Sequence, residues 1–387
     1  CVYEFFKKMT QEEYFGYNAI RNLEAILKKY SARNIFLVTG KKSFTLSGAE
    51  AIITPILSSY SVTRFCDFEE NPRIEDVKKG IDQFKKQSCD AVIAVGGGSA
   101  IDMAKLINIF ADQKGTIESY LSGENYALNI KKLLIAIPTT SGTGSESTHF
   151  AVVYKDKIKY SFADDSLMPD VAIVDPQFTL TLPPFITATT GMDALSQSIE
   201  AYWSINSSEE SKGYARDAIE LAINSLKDAV VAPDRKNREN MSKAAHLSGK
   251  AINISKTTAP HAISYAFTSH FGVKHGHAVA LTLGDILLYN SEIGENDVTD
   301  TRGISYARQT MSEVNKFLGC KDAPASKNKL TKLMNDISLQ TDLREIGLKK
   351  ETDINIILDN VNLERVKNNP RALTREALKE MLLNLMK

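Results

Sequence analysis

Short apolar runs alternate with amphipathic stretches through the first half of the chain. Four runs end in glycine, proline or threonine, as buried strands often do: 34–40, 90–98, 133–140 and 171–176. Between them, apolar residues recur every three or four positions, which predicts helices over 17–29, 74–86 and 101–111. This order predicts a parallel sheet covered by helices, with ligands bound at the carboxyl ends of the strands.

The pattern changes after the pair Pro183-Pro184. Strand-like runs become scarce, and helical periodicity predicts helices over 188–202, 209–229 and 237–252, with shorter helices beyond 303. A chain of 387 residues is long enough for two cores. We therefore expect an α/β nucleotide-binding domain over residues 1–182 and an all-α domain over residues 183–387.

The composition of the chain argues against some classes of binding partner. Lysine plus arginine and aspartate plus glutamate both number 47, so no net charge draws the chain to nucleic acid or to an anionic membrane. No uninterrupted apolar run approaches the roughly 20 residues that span a bilayer. The four cysteines are scattered without a Cys-x-x-Cys pair, which is typical of reduced thiols. We expect a cytoplasmic protein that acts on a small molecule, with no nucleic-acid or membrane partner.

The stretch GGGSAIDMAK (96–105) places three glycines between a predicted strand and a predicted helix. Gly96, Gly97 and Gly98 would let backbone N–H groups approach an anion, and the helix N-terminus adds its positive dipole end. Ser99 and Asp102 have the spacing of a capping pair at the start of the helix. We interpret this turn as a pyrophosphate site, although a glycine cluster here also fits tight-turn geometry alone.

A second polar turn, PTTSGTGSE (138–146), follows the next predicted strand and should end on the same edge of the sheet. Thr139, Thr140 and Thr143 offer hydroxyl groups to phosphate, ribose or carboxamide. Two such turns on one edge favour a dinucleotide cleft over two unrelated polar loops.

The first predicted strand ends in VTGKKSF (38–44). A free ribose 2′-OH usually meets a carboxylate after an early strand, whereas a 2′-phosphate needs that carboxylate absent and cations near. Gly40, Lys41 and Ser43 therefore favour NADP over NAD, with a solvated turn as the simpler alternative.

Four of the six histidines lie within residues 257–280: His261, His270, His275 and His277. Neutral imidazole is a common ligand of zinc and iron, although isolated histidines are more often core or surface residues. Upstream, the stretch GMDALSQSIEAY (191–202) carries Asp193 and Gln197 four residues apart on one helical face. The carboxylate could complete a metal site, or could simply stabilise the start of a helix.

Together, GGGSAIDMAK, PTTSGTGSE, VAIVDP, GMDALSQSIEAY and HAISYAFTSHFGVKHG resemble the iron-containing (group III) alcohol dehydrogenase family. The resemblance implies a Rossmann-like N-terminal domain and a helical, metal-binding C-terminal domain, with metal and nicotinamide meeting in a cleft, in a homodimer or larger homo-oligomer. It implies cofactor contacts at Gly96, Gly97, Gly98, Ser99, Asp102 and the Thr-rich loop. It also implies an Fe(II) or Zn(II) site at Asp193, Gln197, His261 and His275. Gln197 and Tyr265 both stand where the family carries histidine.

Within the family, DALSQSIEAYWS is most similar to the branch that interconverts 2-hydroxyethylphosphonate and phosphonoacetaldehyde. That resemblance implies phosphonate metabolism, with Lys159 as a candidate substrate contact or, alternatively, an ordinary hairpin charge. For proton delivery during hydride transfer, the candidates are water, His277 and Tyr265, of which Tyr265 could also simply pack. Other readings remain open: a general short-chain alcohol dehydrogenase of the butanol or lactaldehyde type, a lyase of the dehydroquinate synthase type, or a noncatalytic nucleotide-binding relative.

Overall fold

The computed structural model describes residues 11–122, 131–155 and 158–386. The chain forms two compact units, divided between Phe178 and Thr179, with the short segments Thr140–Gly144 and Lys157–Lys159 belonging to the second unit. The strands are β1 Glu12–Phe15, β2 Asn34–Thr39, β3 Ser61–Phe65, β4 Ala91–Gly96, β5 Leu133–Pro138, β6 Phe150–Lys155, β7 Ile158–Ala163 and β8 Val171–Val174. The domain boundary that we expect between residues 182 and 183 stays a prediction.

Helices differ in length between the two units. Those before Phe178 are α1 Leu23–Lys29, α2 Ser43–Leu46, α3 Ala49–Ile56, α4 Ile74–Lys85, α5 Gly98–Phe110 and α6 Ile117–Leu121. Those after Thr179 are α7 Pro184–Trp203, α8 Glu209–Val231, α9 Arg235–Ser255, α10 Ala259–Phe271, α11 His275–Ser291, α12 Ile304–Phe317, α13 Ala323–Asp336, α14 Glu351–Asp359, α15 Leu363–Val366 and α16 Arg375–Asn384.

The predicted parallel sheet is confirmed. Among the described residues, six strands pair in the order β1-β8-β5-β4-β2-β3, and each pair is parallel. Thr39 at the end of β2 lies opposite Val95 of β4, and Gly96 lies opposite Pro138 of β5. This register brings the carboxyl ends of three central strands to one edge, where polar turns follow each of them.

The first predicted helix begins later than its periodicity suggests. Asn18 has a left-handed backbone (φ 67°), and residues Ala19–Asn22 form a 3₁₀ turn before α1 starts at Leu23. Left-handed residues do not continue a right-handed helix, so the prediction over 17–29 is wrong for its first turns. Strands β1 and β3 were not predicted, because both lie at sheet edges. Exposed side chains, such as Ser61 and Val62 in β3, hide the apolar run there.

The predicted capping pair at the start of α5 is also wrong. The helix begins at Gly98, so Ser99 lies inside its first turn rather than before it. The Ser99 hydroxyl accepts a hydrogen bond from the backbone N–H of Asn71 (3.2 Å), and Asp102 accepts one from the N–H of Val152 (3.0 Å). Both side chains join α5 to other segments instead of closing its own N-terminus.

Lys105 of α5 is almost fully buried and fastens the helix to the chain beside it. Its ammonium donates to the carbonyl and hydroxyl oxygens of Thr148 (2.7 and 3.1 Å) and to the carbonyl of Phe150 (2.9 Å). A methionine would fill the same volume but could satisfy none of these acceptors.

We therefore expect Lys105→Met to lower the free energy of unfolding by about 3 kcal/mol, measured by urea denaturation. The control is Lys85→Met, because Lys85 is exposed at the end of α4 and should change stability by less than about 0.5 kcal/mol. Equal stability of the two variants would contradict the fastening role of Lys105.

The second unit is helical from 179 to 386, where every residue is described and the strand-like geometry amounts to one isolated bridge. This confirms the predicted all-α half. Helix α7 begins at Pro184, four residues earlier than predicted, because proline is well suited to the first turn of a helix. None of the described helices is long and apolar enough to cross a membrane.

Candidate active site

Three helices supply the candidate metal ligands. Helix α7 carries Asp193, Gln197 and Glu200, which lie on one face because they are spaced by four and three residues. His261 lies in the first turn of α10, and His275 is the first residue of α11. Two segments that lie far from α7 in the sequence therefore meet it at one point.

Asp193, His261 and His275, which we call the ligand cluster, each offer a donor atom within 4.8 Å of the other two. Among the described residues, no other three histidine, cysteine or acidic side chains converge in this way. Asp193 Oδ1 and His261 Nε2 lie 3.4 Å apart, and both are buried without a hydrogen-bond partner. Buried polar atoms are normally satisfied, so this pair fits the coordination of a cation. Two imidazoles and one carboxylate suit Fe(II) or Zn(II) with an open position.

Glu200 fixes the orientation of His261. Its carboxylate is fully buried and accepts hydrogen bonds from the Thr258 backbone N–H (2.6 Å) and hydroxyl (3.0 Å). On its other side it lies 2.5 Å from His261 Nδ1. The carboxylate holds a ring proton on Nδ1, so Nε2 is the ring nitrogen that faces Asp193 and would ligate an ion.

The local charges suit a divalent ion. Burial, reinforced by the positive charge of Lys159, lowers the pKa of His275 to about 3, so its imidazole is neutral and able to ligate. Burial also opposes a charge on His261, but Glu200 and Asp193 raise the pKa of His261 to about 9. The two carboxylates therefore favour positive charge at this point, and metal binding would displace a proton from it.

Gln197 is positioned by a different helix. Its side chain is buried, and its carbonyl oxygen accepts a hydrogen bond from the Ser248 hydroxyl of α9 (3.0 Å). The amide oxygen is the group of Gln197 that could ligate a metal. This oxygen has two lone pairs, so Gln197 could accept the bond from Ser248 and still offer the other lone pair to an ion.

Helices α7 and α11 approach to backbone contact at Gly276. A Cβ atom placed on Gly276 would lie 1.9 Å from the carbonyl oxygen of Thr189 and 2.8 Å from Cβ of Asp193. No side chain fits there, so glycine is required for His275 to reach the helix that carries Asp193.

The two candidate proton donors occupy different surroundings. The Tyr265 ring is stacked against His275, with 6.2 Å between ring centroids, and Lys159 Nζ lies 3.9 Å from the Tyr265 ring centroid. His277 is buried on α11, and its Nε2 contacts the carbonyl oxygen of Gln340 (2.7 Å). His270 is exposed near the end of α10 and takes no part in the cluster.

The proposed nucleotide-binding residues of the first unit lie at the carboxyl ends of the central strands. A Cβ on Gly96 would lie 2.7 Å from Cβ of Ala100, so glycine is needed where β4 turns into α5. Gly97 and Gly98 are half-buried at the N-terminus of that helix, and the Thr139 N–H donates to the Gly96 carbonyl (2.9 Å). Gly40, Lys41 and Ser43 follow β2, where the Lys41 and Ser43 side chains are exposed.

The glycines of the Thr-rich loop have a packing role. A Cβ on Gly142 would lie 2.7 Å from Cβ of Thr190, and one on Gly144 would lie 2.5 Å from Cα of Gly249. The loop therefore rests on α7 and α9. Thr140 and Thr143 are half-buried in it.

Comparison with known families decides the assignment. A family model described as "Iron-containing alcohol dehydrogenase" matches residues 10–176, and one described as "Fe-containing alcohol dehydrogenase family, C-terminal" matches residues 187–386. The chain belongs to the iron-containing alcohol dehydrogenase family. Members of this family are oxidoreductases of the alcohol dehydrogenase type that use a divalent metal and NAD(H), which confirms the predicted resemblance and reaction class.

The individual relatives are alcohol dehydrogenases and an aldehyde reductase, as the family assignment implies. The chain is 32% identical to long-chain-alcohol dehydrogenase 1 of Geobacillus thermodenitrificans over 91% of this chain and 89% of the relative. It is 31% identical to 1,3-propanediol dehydrogenase of Citrobacter freundii over 87% of each. The solved sulfoacetaldehyde reductase of Bifidobacterium kashiwanohense, in complex with NAD⁺, is 30% identical, with a TM-score of 0.88 and 97% of each chain covered.

Sequence reasoning missed Glu200, Arg64 and Arg365 as candidate functional residues. Arg64 donates to the Thr39 hydroxyl at the end of β2 (2.9 Å), and Arg365 donates to the Thr257 hydroxyl (3.0 Å). Glu200 had one usable signal, because it is an acid between Ile199 and Ala201 in an apolar stretch of helix. The two arginines have no local signal, since their partners lie far away in the sequence.

Proposed function

We propose that this protein is a metal-dependent NAD(P)H oxidoreductase that interconverts a primary alcohol and an aldehyde by hydride transfer. The observation that carries the proposal is the ligand cluster, in which a buried carboxylate oxygen and a buried imidazole nitrogen lack any other partner. A noncatalytic relative with a degraded site would be expected to satisfy such atoms or to lose them.

Asp193, His261 and His275 would hold the ion, with Gln197 beside it. When bound, the ion would polarise the carbonyl oxygen and stabilise the alkoxide. The chain contributes the geometry: Glu200 holds Nδ1 of His261 so that Nε2 is the nitrogen that faces the ion, and the low pKa of His275 keeps that ring neutral at physiological pH. Reduced nicotinamide would supply the hydride, held through its pyrophosphate by Gly96, Gly97, Gly98 and Ser99.

For proton delivery, the surroundings favour Tyr265 over His277. Burial alone would raise the pKa of Tyr265, but the charges of Lys159 and Arg365 outweigh it and lower that pKa to about 8. The phenol would be protonated at neutral pH and still acidic enough to donate. In contrast, His277 has one ring nitrogen committed to the Gln340 carbonyl.

We propose NADP(H) as the preferred cofactor. Lys41 and Lys42 are exposed directly after β2, where a carboxylate would serve a free 2′-OH. Arg64 adds a third cation near this strand end, through its bond to Thr39. A Cβ on Gly40 would also overlap the Ser43 hydroxyl (2.1 Å), so a longer acidic side chain could not replace Gly40 without moving Ser43.

As the substrate pair we propose 2-hydroxyethylphosphonate and phosphonoacetaldehyde, with Lys159 near the anionic group. The similarity to a sulfoacetaldehyde reductase supports a short aldehyde with a tetrahedral anion. A neutral short-chain alcohol is the alternative, supported by the similarity to 1,3-propanediol dehydrogenase.

The test is aldehyde reduction by protein loaded with Fe(II) or Zn(II), followed through NADPH and NADH oxidation. We expect turnover of at least one short aldehyde, and a kcat/KM about tenfold or more higher with NADPH than with NADH. Equal use of NADH would refute the cofactor preference only. No oxidation of either cofactor with phosphonoacetaldehyde, glycolaldehyde or butanal would refute the enzymatic function.

A further inference from the structure

Two cationic side chains from distant parts of the sequence flank the ligand cluster. Lys159, near the start of β7, places its ammonium over the Tyr265 ring, 3.9 Å from the centroid. The Tyr265 ring also stacks on the ring of His275. Lys159 and a candidate metal ligand therefore contact the same aromatic ring.

Arg365 reaches the same region from the short helix α15. The Asn362 N–H donates to the carbonyl of Ala262, the residue after His261 (3.2 Å), and the Asn362 side chain accepts from the Arg365 N–H (3.0 Å). Arg365 Nη1 then donates to the Thr257 hydroxyl (3.0 Å). The neighbouring Thr258 binds Glu200, so the guanidinium is tied to the same turn that orients His261.

The two cations approach the same cluster. Lys159 contacts the Tyr265 ring that stacks on His275, and Arg365 binds Thr257 in the turn that leads into the helix of His261. Like charges near one buried site repel each other and, when a metal ion is present, repel that ion as well. Such an arrangement is typical of a site that binds an anion.

Within the proposed function, we infer that Arg365 and Lys159 form a subsite for the tetrahedral anionic group of a short aldehyde, a phosphonate or a sulfonate. The planar fork of arginine matches two oxygens of such a group, and the lysine ammonium adds a compact charge. In a two-carbon substrate one methylene separates the carbonyl carbon from phosphorus or sulfur. The anion must therefore bind beside the ligand cluster, where both cations lie.

Arg365→Met provides the main test, with kcat/KM measured for phosphonoacetaldehyde, sulfoacetaldehyde and butanal. We expect kcat/KM for the anionic aldehydes to fall about 30- to 100-fold, and the fall for butanal to be much smaller. Arg365→Lys should recover part of the loss, because it keeps the charge but not the fork. The matched control is Arg375→Met, whose arginine forms an exposed ion pair with Asp359 and should leave the preference among aldehydes as it is.

A binding measurement separates this inference from the proposed function. Ethylphosphonate binding to the Zn(II)-loaded protein, followed by calorimetry, needs no turnover, and Arg365→Met and Lys159→Met should each weaken it about tenfold or more. If no aldehyde is reduced but ethylphosphonate binding depends on Arg365, the enzymatic proposal fails and the subsite stands. Equal ethylphosphonate binding by wild type and Arg365→Met, or a wild-type preference for butanal over both anionic aldehydes, would overturn the subsite.

Discussion

Changing Asp193 to asparagine should leave the protein folded but without its metal, and should lower kcat/KM for aldehyde reduction by about 10³-fold or more. The two side chains have nearly the same shape, so packing around α7 should be preserved. The charge, however, is lost at a point where His261 Nε2 and Asp193 Oδ1 lack other partners. An amide oxygen is a much weaker ligand for Fe(II) or Zn(II) than a carboxylate.

Metal content measured by plasma emission spectroscopy should fall from about one ion per chain to below one-tenth, while the thermal midpoint of the metal-free proteins stays within a few degrees. Asp228→Asn is a suitable control, because Asp228 is exposed on α8 and should retain both metal and turnover. An Asp193→Asn protein that keeps its ion and its rate would show that the metal lies elsewhere.

Glu200→Gln should weaken Zn(II) binding about 10- to 100-fold, although Glu200 is not itself a candidate ligand. Glutamine can still accept the hydrogen bonds of Thr258 through its oxygen. Its NH₂ group would then face His261 Nδ1 and donate to it, which places the ring proton on Nε2. A metal would then have to displace the Nε2 proton against this new hydrogen bond, whereas the Glu200 carboxylate supports a ring that has lost it.

Competition with a chromogenic chelator gives the affinity, and Glu220→Gln, an exposed change on α8, is the control. NMR of the histidine ring nitrogens in the metal-free protein, recorded above the His261 pKa of about 9 where the ring is neutral, provides a second measurement. The one remaining ring proton of His261 should lie on Nδ1 in the wild type and on Nε2 only in Glu200→Gln. An unchanged tautomer and unchanged affinity would remove Glu200 from the positioning role.

Local patterns were sufficient for the central part of the fold. Strand β4 is buried along its whole length, so it appears in the sequence as an uninterrupted apolar run before three glycines. The pattern of apolar and polar residues is less clear in strand β3, because β3 lies at an edge of the sheet. Helix α1 was predicted too long because Asn18 adopts a left-handed conformation. Hydrophobic periodicity reflects which positions are buried, so the pattern is weak in an element that is exposed on two sides. Periodicity also does not show where a backbone conformation, such as a left-handed residue, ends an element.

The candidate site was harder to predict from the sequence than the central part of the fold. The resemblance and the concentration of histidines were enough to name Asp193, His261 and His275. The hydrogen bond from Ser248 to Gln197 and that from His261 to Glu200 join residues 51 and 61 positions apart, so no short window of sequence contains both partners. Local reasoning placed Gln197 near a metal but could not show that its oxygen already accepts a hydrogen bond.

The backbone contact at Gly276 has a consequence for how the protein acquires its ion. Because α11 rests directly on α7, the spacing between Asp193 and His275 is set by main-chain packing before any metal arrives. The ligands are therefore preorganised, and little binding energy is spent on rearranging them. We expect the apoprotein to fold unaided and to accept different divalent ions into one rigid frame. Which metal the protein carries would then follow from the supply in its surroundings more than from selection by the fold.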